Sequence, residues 1–583
     1  MISRTLAVCS SKDEAIQLLK FNLKNAIFIA LSLEAEFFLK KKFNYWKNPL
    51  YSLINRDGYT SGVSYFLSNF KLTHNWYRNE NYKFIHDRLG FFLMELDRSL
   101  DFAKKAIRKY QPKKIIIPPL SDYKSASVIS GNLIPHAFFL CTKEKSIRVN
   151  FFEERVMKTG LASRIGKLIQ STRYIRKMHL QGSCDLLIIA PPRHLLQIAN
   201  FVGTLNKNKI GYKILTYSVT YKYKKKFDRL FGQYLEKERL IDDQIIAQAN
   251  HVHKVLIQDK EWILFDYPKY KRRKIIIDYI RNRIRQYVSE ELGQIITEKL
   301  LADKILRSIN PKLLLTITDP DTKALTFIDS AKKLKIKTLS FQHGADFTPI
   351  PYSLPVSDNY IVWSSISKKC FLANNYTNTQ RHLPKNKILI GESPFHSFIQ
   401  PSKSKLHRDE LNVLFLATIH FFEQGLVSYY QKQLFESLAD IDNLKLMVRT
   451  HDHQNTMNLK ALVDEMGVNA HFVNDRTLIS CLQEADIVIF ESTTAGFDTL
   501  LIGKPSIFFN PYDGNTFFKK NKDAFATILK SGEIKSKLKL IINDKRIRNK
   551  YAPKGYKFAS NYLGIDKGNN YRRTVKIIKD YLN

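Results

Sequence analysis

The sequence predicts an α/β protein. Two serial Rossmann-like domains face one another across a cleft, with an extra N-terminal α/β region and a basic helical insertion. Three observations predict it. Short apolar runs rich in β-branched residues alternate with stretches of helical periodicity, as expected of strands buried on both faces of parallel sheets. Polar and charged residues cluster just after several of those runs, where open parallel sheets bind ligands. A polar, proline-containing stretch at residues 400–408 (QPSKSKLHR) separates two such series and reads as a linker.

The clearest element runs from Ala485 to Tyr512. Ile487–Phe490 reads as a doubly buried strand, bounded by Asp486 and Glu491. Ser492, Thr493 and Thr494 follow as hydroxyl-bearing N-cap candidates, and Ala495–Ile502 makes about two helical turns. Gly503 ends that helix, Pro505 prevents its resumption, and Ser506–Phe509 is the next strand. A helix amino terminus at a strand's carboxyl end offers unpaired N–H groups and a positive dipole end to an anion. Three hydroxyls beside those amides suit phosphate. Asp498, one turn in, is placed to accept hydrogen bonds from ribose or sugar hydroxyls. The competing explanation is an ordinary crossover with a well-capped helix.

At 583 residues the chain exceeds one average core and suggests two or three domains. Its 44% hydrophobic and 12% aromatic content excludes a disordered chain. With 93 Lys+Arg against 54 Asp+Glu, the net charge of +39 favours anionic partners without choosing among nucleic acid, acidic lipid and phosphorylated substrates. Cys9, Cys141, Cys184, Cys370 and Cys481 lack CxxC spacing, so they read as small buried residues of a reducing compartment. No apolar run approaches the ~18 residues of a membrane span. Arg4 and Lys12 bracket too few apolar residues for a signal peptide. The expected location is cytoplasmic, peripheral on the inner face of the cell membrane.

The remaining elements follow in chain order. In region 1–180, Asp13–Leu19 and Tyr82–Tyr110 read as helices, and Ala26–Leu31 and Lys114–Ile117 as strands, with no chemical motif. The acceptor-side domain, 181–402, opens with strand Leu186–Ala190, helix Arg193–Leu205 and strand Tyr212–Tyr217. Its insertion, about 221–306, carries YKYKKK (Tyr221–Lys226), KYKRRK (Lys269–Lys274), Arg281, Arg283 and Arg285. Basic residues mixed with tyrosine suit anionic lipid, nucleic acid phosphates or plain solvent.

Strand character resumes at Leu313, and Ile336–Phe341 delivers Gln342-His343-Gly344-Ala345-Asp346 into a loop. His343, beside a glycine that lets a ligand approach the backbone, is a general-base candidate with an unperturbed pKa of ~6.5. Asp346, Asp319 and Asp321, at neighbouring strand ends, are the alternatives, and a purely structural loop histidine is another. Tyr360–Trp363 and Lys387–Ile390 are further strands, the latter ending at Gly391-Glu392-Ser393-Pro394. In the donor-binding domain, 405–575, Asn412–Leu416 ends near Thr418, and Leu444–Val448 ends in Arg449-Thr450-His451-Asp452-His453. The tail from Phe517 reads as helical and very basic.

The order QHG, G-E-S-P, R-x-H, E-S-T-T-x-x-F-D and G-K-P over about residues 310–512 resembles the GT-B glycosyltransferase superfamily. Within it, the pattern is most similar to bacterial surface-polysaccharide transferases of capsule and CDP-glycerol glycerophosphotransferase types. The spacing from Glu491 through Asp498 to Gly503-Lys504-Pro505 is also similar to that of UDP-N-acetylglucosamine 2-epimerases. The resemblance implies that His343 is the general base and His451 contacts phosphate. It implies that Ser492, Thr493 and Thr494 line the donor phosphates and Asp498 holds the ribose. Thr418, Arg449 and Glu491 complete the expected donor-binding set. The chain departs from the family where His-Pro is usual, since His451 is followed by Asp452.

The implied function is transfer of a sugar from a nucleotide-activated donor to a surface-polysaccharide or lipid-linked glycan acceptor, as in capsule or lipopolysaccharide biosynthesis. A related polyol-phosphate transfer is the close variant. No metal and no cofactor beyond the nucleotide-sugar substrate is expected, because helix dipole, hydroxyls and Arg449 or His451 can stabilise a departing phosphate. The expected partners are the nucleotide sugar, the glycan acceptor and an anionic membrane surface, and not nucleic acid. The alternatives are a nucleotide-sugar 2-epimerase-like enzyme, a basic nucleic-acid-binding protein and a non-catalytic scaffold.

Overall fold

The computed structural model describes residues 5–9, 12–21, 23, 26–31, 33–43, 71–72, 83–118, 120, 133–145, 147–151, 182–217, 219, 221–231, 234–258, 265–266, 273–317, 322–344, 357–375, 384–396, 410–417, 424–451, 456–491, 493–510, 524–528, 531–565 and 571–583. Runs such as LLII, LLLT and IVIF become strands in which every residue is buried, as parallel sheets covered on both faces require. The amino-terminal strands are β1 (Thr5–Cys9), β2 (Ala26–Ala30), β3 (Lys71–Leu72), β4 (Lys114–Ile117) and β5 (Arg148–Phe151). The middle part carries β6 (Leu186–Ile189), β7 (Tyr212–Thr216), β8 (Leu235–Glu236), β9 (Phe265–Asp266), β10 (Leu313–Thr316), β11 (Lys337–Phe341), β12 (Asn359–Val362) and β13 (Ile388–Ile390). The last part carries β14 (Leu411–Leu416), β15 (Leu444–Arg449), β16 (Ala470–Phe472), β17 (Ile487–Phe490), β18 (Ser506–Phe509) and β19 (Ala526–Ile528).

Three parallel sheets result. The first runs β2-β1-β4-β5, the middle β13-β12-β11-β10-β6-β7-β8, and the third β16-β15-β14-β17-β18-β19. β3 and β9 form a separate antiparallel pair. In chain order the third sheet reads 3-2-1-4-5-6, the doubly wound arrangement, and the middle sheet is the same with one more strand. Such sheets bind ligands where the strand order reverses. That point lies between β6 and β10 in the middle sheet, and between β14 and β17 in the third. The two Rossmann-like units expected from the sequence are both present.

The connecting helices tie the sheets together. The helix Lys274–Ile309 is 36 residues long, roughly 54 Å at 1.5 Å per residue. Its stretch up to Ile296 packs Ile276, Ile280 and Ile295 into the core of the amino-terminal sheet. Its second half packs Leu301, Ile305 and Ile309 under the middle sheet. The last helix of the predicted insertion, about 221–306, is therefore a strut with two apolar ends, while Leu235–Glu236 within that span is not helical but an edge strand of the middle sheet, paired with β7. The carboxyl end makes a second tie. Helix Lys545–Leu563 packs Ala559, Tyr562 and Leu563 on the third sheet, and helix Arg572–Leu582 returns to pack Val575 and Ile578 on the middle one. Residues 571–575, expected from sequence in the donor-binding domain, thus pack with the middle sheet through Tyr571 and Val575. The predicted helix Arg193–Leu205 is two helices, Pro192–Gln197 and Ala199–Lys207, broken at Ile198. Among the described residues no helix is long and apolar enough to cross a membrane. The 400–408 linker lies outside the described residues.

Candidate functional site

The two reversal points supply the site. The β17 turn is built tightly: Thr493 N–H donates to Glu491 O at 2.6 Å, and the helix Ala495–Ile502 starts at once. Gly496 lets this helix sit on the strand it follows, since a β-carbon there would lie 2.5 Å from the Phe490 ring. Gly503 closes the helix with a left-handed backbone at φ 77°, as its place in the sequence predicts. The expected hydroxyl cap takes a different form. Thr494 occupies the cap position without a side-chain cap bond, and the Thr493 hydroxyl accepts from Ala495 N–H at 3.4 Å.

Across from this turn stands the end of β11. A β-carbon on Gly344 would lie 3.6 Å from Thr494 Oγ1, so the QHG loop and the Thr493-Thr494 turn touch across the two units. Gln342 locks its loop by donating from Nε2 to Gly344 O, accepting at Oε1 from Trp363 N–H, and accepting at its own carbonyl from Trp363 Nε1–H. His343 is half-buried. Its Nδ1 is enclosed and has no hydrogen-bond partner among the described residues.

The structure adds a residue that sequence reasoning passed over. His194, in the Pro-Pro-Arg-His turn after β6, stacks obliquely on His343 with ring centroids 4.4 Å apart. Phe395, after β13, packs against both rings. Arg193 Nε–H donates to His194 Nε2 at 3.2 Å, which makes that nitrogen an acceptor and leaves the ring hydrogen on Nδ1. The available signal was positional: His194, like His343, follows a buried strand at a sheet's binding edge.

Burial, then the charges of His343 and Arg193, push His194 down to about 2. Burial, then Arg193 and His451, push His343 down to about 4, well below the unperturbed value expected from sequence. Both rings are neutral at physiological pH. The unfolded chain binds more protons than the folded one below a pH of about 6.5, so stability falls as pH drops from there toward about 4. His194→Phe removes one such group and keeps an aromatic ring. Between about pH 7 and about pH 5 the parent's Tm is expected to fall more steeply than the variant's; parallel slopes would refute this.

The other expected residues divide. His451, after β15, lies close enough for its charge to act on His343. Asp498 Oδ1 lies 3.7 Å from His396 Nε2. Glu491 is wholly buried and accepts from Gln431 Nε2 at 3.0 Å. Arg449 Nη1 donates to the carbonyls of Val473 and Arg476, bracing the next loop. Asp319, Asp321, Asp346, Thr418 and Ser492 lie outside the described residues. Among the described residues, no three His, Cys, Asp or Glu side chains are grouped as a metal would need. The G-E-S-P turn receives the returning helix: Glu392 accepts from Arg573 N and Nε through Oε1, and from Thr574 N and Oγ1 through Oε2.

No family model matches the chain, and no curated protein matches it. Among solved structures it is similar to the UDP-GlcNAc 2-epimerase of Neisseria meningitidis bound to UDP-GlcNAc (12% identity, 69% of this chain and 99% of that one, TM-score 0.42). It is also similar to MurG of Acinetobacter baumannii (11% identity, 68% and 99%, TM-score 0.38). A third is the spinosyn rhamnosyltransferase SpnG (10% identity, 68% and 99%, TM-score 0.37). Likeness at this level carries no inference about substrate or reaction.

Proposed function

We propose that this chain is a GT-B-type glycosyltransferase, moving a sugar from a nucleotide-activated donor to a glycan or lipid-linked acceptor of a surface polysaccharide. The observation that carries the reading is the meeting of two ligand-binding sheet edges, with Gly344 against Thr494 and His343 beside them. The donor's diphosphate takes the amino terminus of helix Ala495–Ile502, where N–H groups and the helix dipole favour negative charge. Thr493 and Thr494 add hydroxyls, and Asp498 accepts from the ribose. An acceptor hydroxyl attacks the donor carbon, its proton passes to His343, and the bond to the diphosphate oxygen breaks. His343 is neutral at working pH, so its basic form is ready. A bound diphosphate counters the charges of Arg193 and His451 and draws the histidine back toward working pH.

Thermal-shift titration with CDP, UDP, GDP and their sugars tests the reading, because a ligand that binds the native state raises its Tm. One nucleotide class is expected to stabilise the chain, and absence of any shift contradicts the proposal. A sugar product that appears without an acceptor would favour the epimerase-like alternative.

Membrane attachment is part of the proposal. Lys224, Lys225 and Lys226 are exposed in the helical insertion, as are Lys535, Lys539 and Arg546 near the carboxyl end. Leu540 stands beside the latter group, 54% exposed. Binding to anionic vesicles is expected to weaken as salt rises, since exposed charges are screened beyond ~8 Å at physiological ionic strength. Equal binding to neutral vesicles would refute it.

A further inference from the structure

His396 closes the turn Gly391–His396 after β13. Its side chain is 4% exposed, and its ring lies 5.9 Å from that of Trp363. Its backbone is pinned, because the carbonyl accepts from Tyr571 Oη–H at 3.0 Å. The two ring nitrogens meet different units. Nδ1 lies 2.7 Å from Ser393 Oγ in the same turn, and Nε2 lies 3.7 Å from Asp498 Oδ1 on the helix after β17.

These partners decide where the ring hydrogen sits. Ser393 is wholly buried. If its hydroxyl donates to Nδ1, that hydrogen is satisfied and the ring hydrogen is on Nε2, facing the carboxylate. The opposite tautomer strands a buried hydroxyl hydrogen, at about 1–3 kcal/mol, and sets a lone pair against a negative charge. Asp498 is itself 22% exposed, so it is reachable from solvent while Oδ1 faces His396.

We propose that His396 is the positioning residue for Asp498: its Nε2–H, oriented through Ser393, faces Oδ1 from 3.7 Å and draws that carboxylate oxygen toward it electrostatically, so that the other oxygen meets the ribose hydroxyls of the donor nucleotide. This rests on the glycosyltransferase reading above and makes the ribose its specificity determinant. Because His396 belongs to the acceptor-side unit and Asp498 to the donor side, the ribose contact depends on both units being in place.

The test is calorimetric titration of the full chain with the best bound of CDP, UDP and GDP and with its 2′-deoxy counterpart. Losing a hydrogen bond to a charged acceptor corresponds to roughly tenfold in affinity or more, so the parent is expected to prefer the ribonucleotide by about that factor. His396→Asn keeps an amide near Ser393 and is too short to reach Asp498. It is expected to cut the preference to about threefold or less, chiefly by weakening the ribonucleotide. His396→Gln reaches Asp498 and is expected to restore most of the preference. If the Asn variant fails to fold, His396→Phe is read in the same way. Parental preference in the shortened variants, or equal weakening of both nucleotides, overturns the proposal. A parent that binds no nucleotide overturns the glycosyltransferase reading, and with it this one. A parent that binds nucleotides with no ribose preference overturns this proposal and leaves the glycosyltransferase reading standing.

Discussion

His343→Ala is expected to lower turnover by roughly 10²–10⁴-fold, with donor affinity and Tm nearly unchanged. An acceptor hydroxyl has a pKa far above neutrality, so its attack needs a base within hydrogen-bond reach. His343 stands where the acceptor-side edge comes close to the donor-side turn, since a β-carbon on Gly344 would lie 3.6 Å from Thr494 Oγ1. Its loop backbone is held by Gln342 independently of the imidazole ring. A structural histidine would give the opposite split, a lower Tm with turnover preserved in the folded fraction. The pH profile adds a second readout. Burial holds the histidine near 4, and a bound diphosphate is expected to raise it. The acid limb of kcat is therefore expected at higher pH than that of kcat/KM. Near-parental turnover in His343→Ala would move the base to an aspartate of the same unit.

The largest stability effect is expected at Glu392. Its carboxylate is 5% exposed and takes two donors on each oxygen from the start of the returning helix. It also sits at that helix's amino terminus, where negative charge is favoured. Glu392→Ala leaves Thr574 N–H and Oγ–H, both wholly buried, without their acceptor. At ~1–3 kcal/mol for each stranded donor, a loss of roughly 2–6 kcal/mol is expected in denaturant unfolding. The helix carries Val575 and Ile578 into the core of the middle sheet, so release of this clasp is expected to expose residues 571–583 to proteolysis first. A change below about 1 kcal/mol would show that apolar packing alone retains the helix.

Much of the fold was legible because it is local. Ile487–Phe490, Ala495–Ile502 and Ser506–Phe509 match the sequence reading, since an apolar run between Asp486 and Glu491 and a glycine before Lys504-Pro505 leave few alternatives. The positions of the strand ends were legible for the same reason. Side-chain direction was not. Glu491 and Arg449 stand at strand ends, yet one turns inward to Gln431 and the other braces the loop at Val473 and Arg476. His194 and His396 were not legible because non-local order brings them in. The placement of β6 beside β10 and the clasp of Glu392 on a helix some 180 residues later decide where they stand. The depression of His343 below its ordinary value has the same origin, since its main cause is burial by the assembled units.

The central claim is that a nucleotide sits on the β17 turn with its ribose on Asp498. Titration calorimetry of the parent and of Asp498→Ala against CDP, UDP and GDP tests it most directly. The account expects one nucleoside diphosphate to bind the parent, and the variant, equally folded by Tm, to bind it roughly tenfold or more weakly, as loss of hydrogen bonds to a charged group implies. Parental affinity in Asp498→Ala, or no binding of any of the three by the parent, would contradict it.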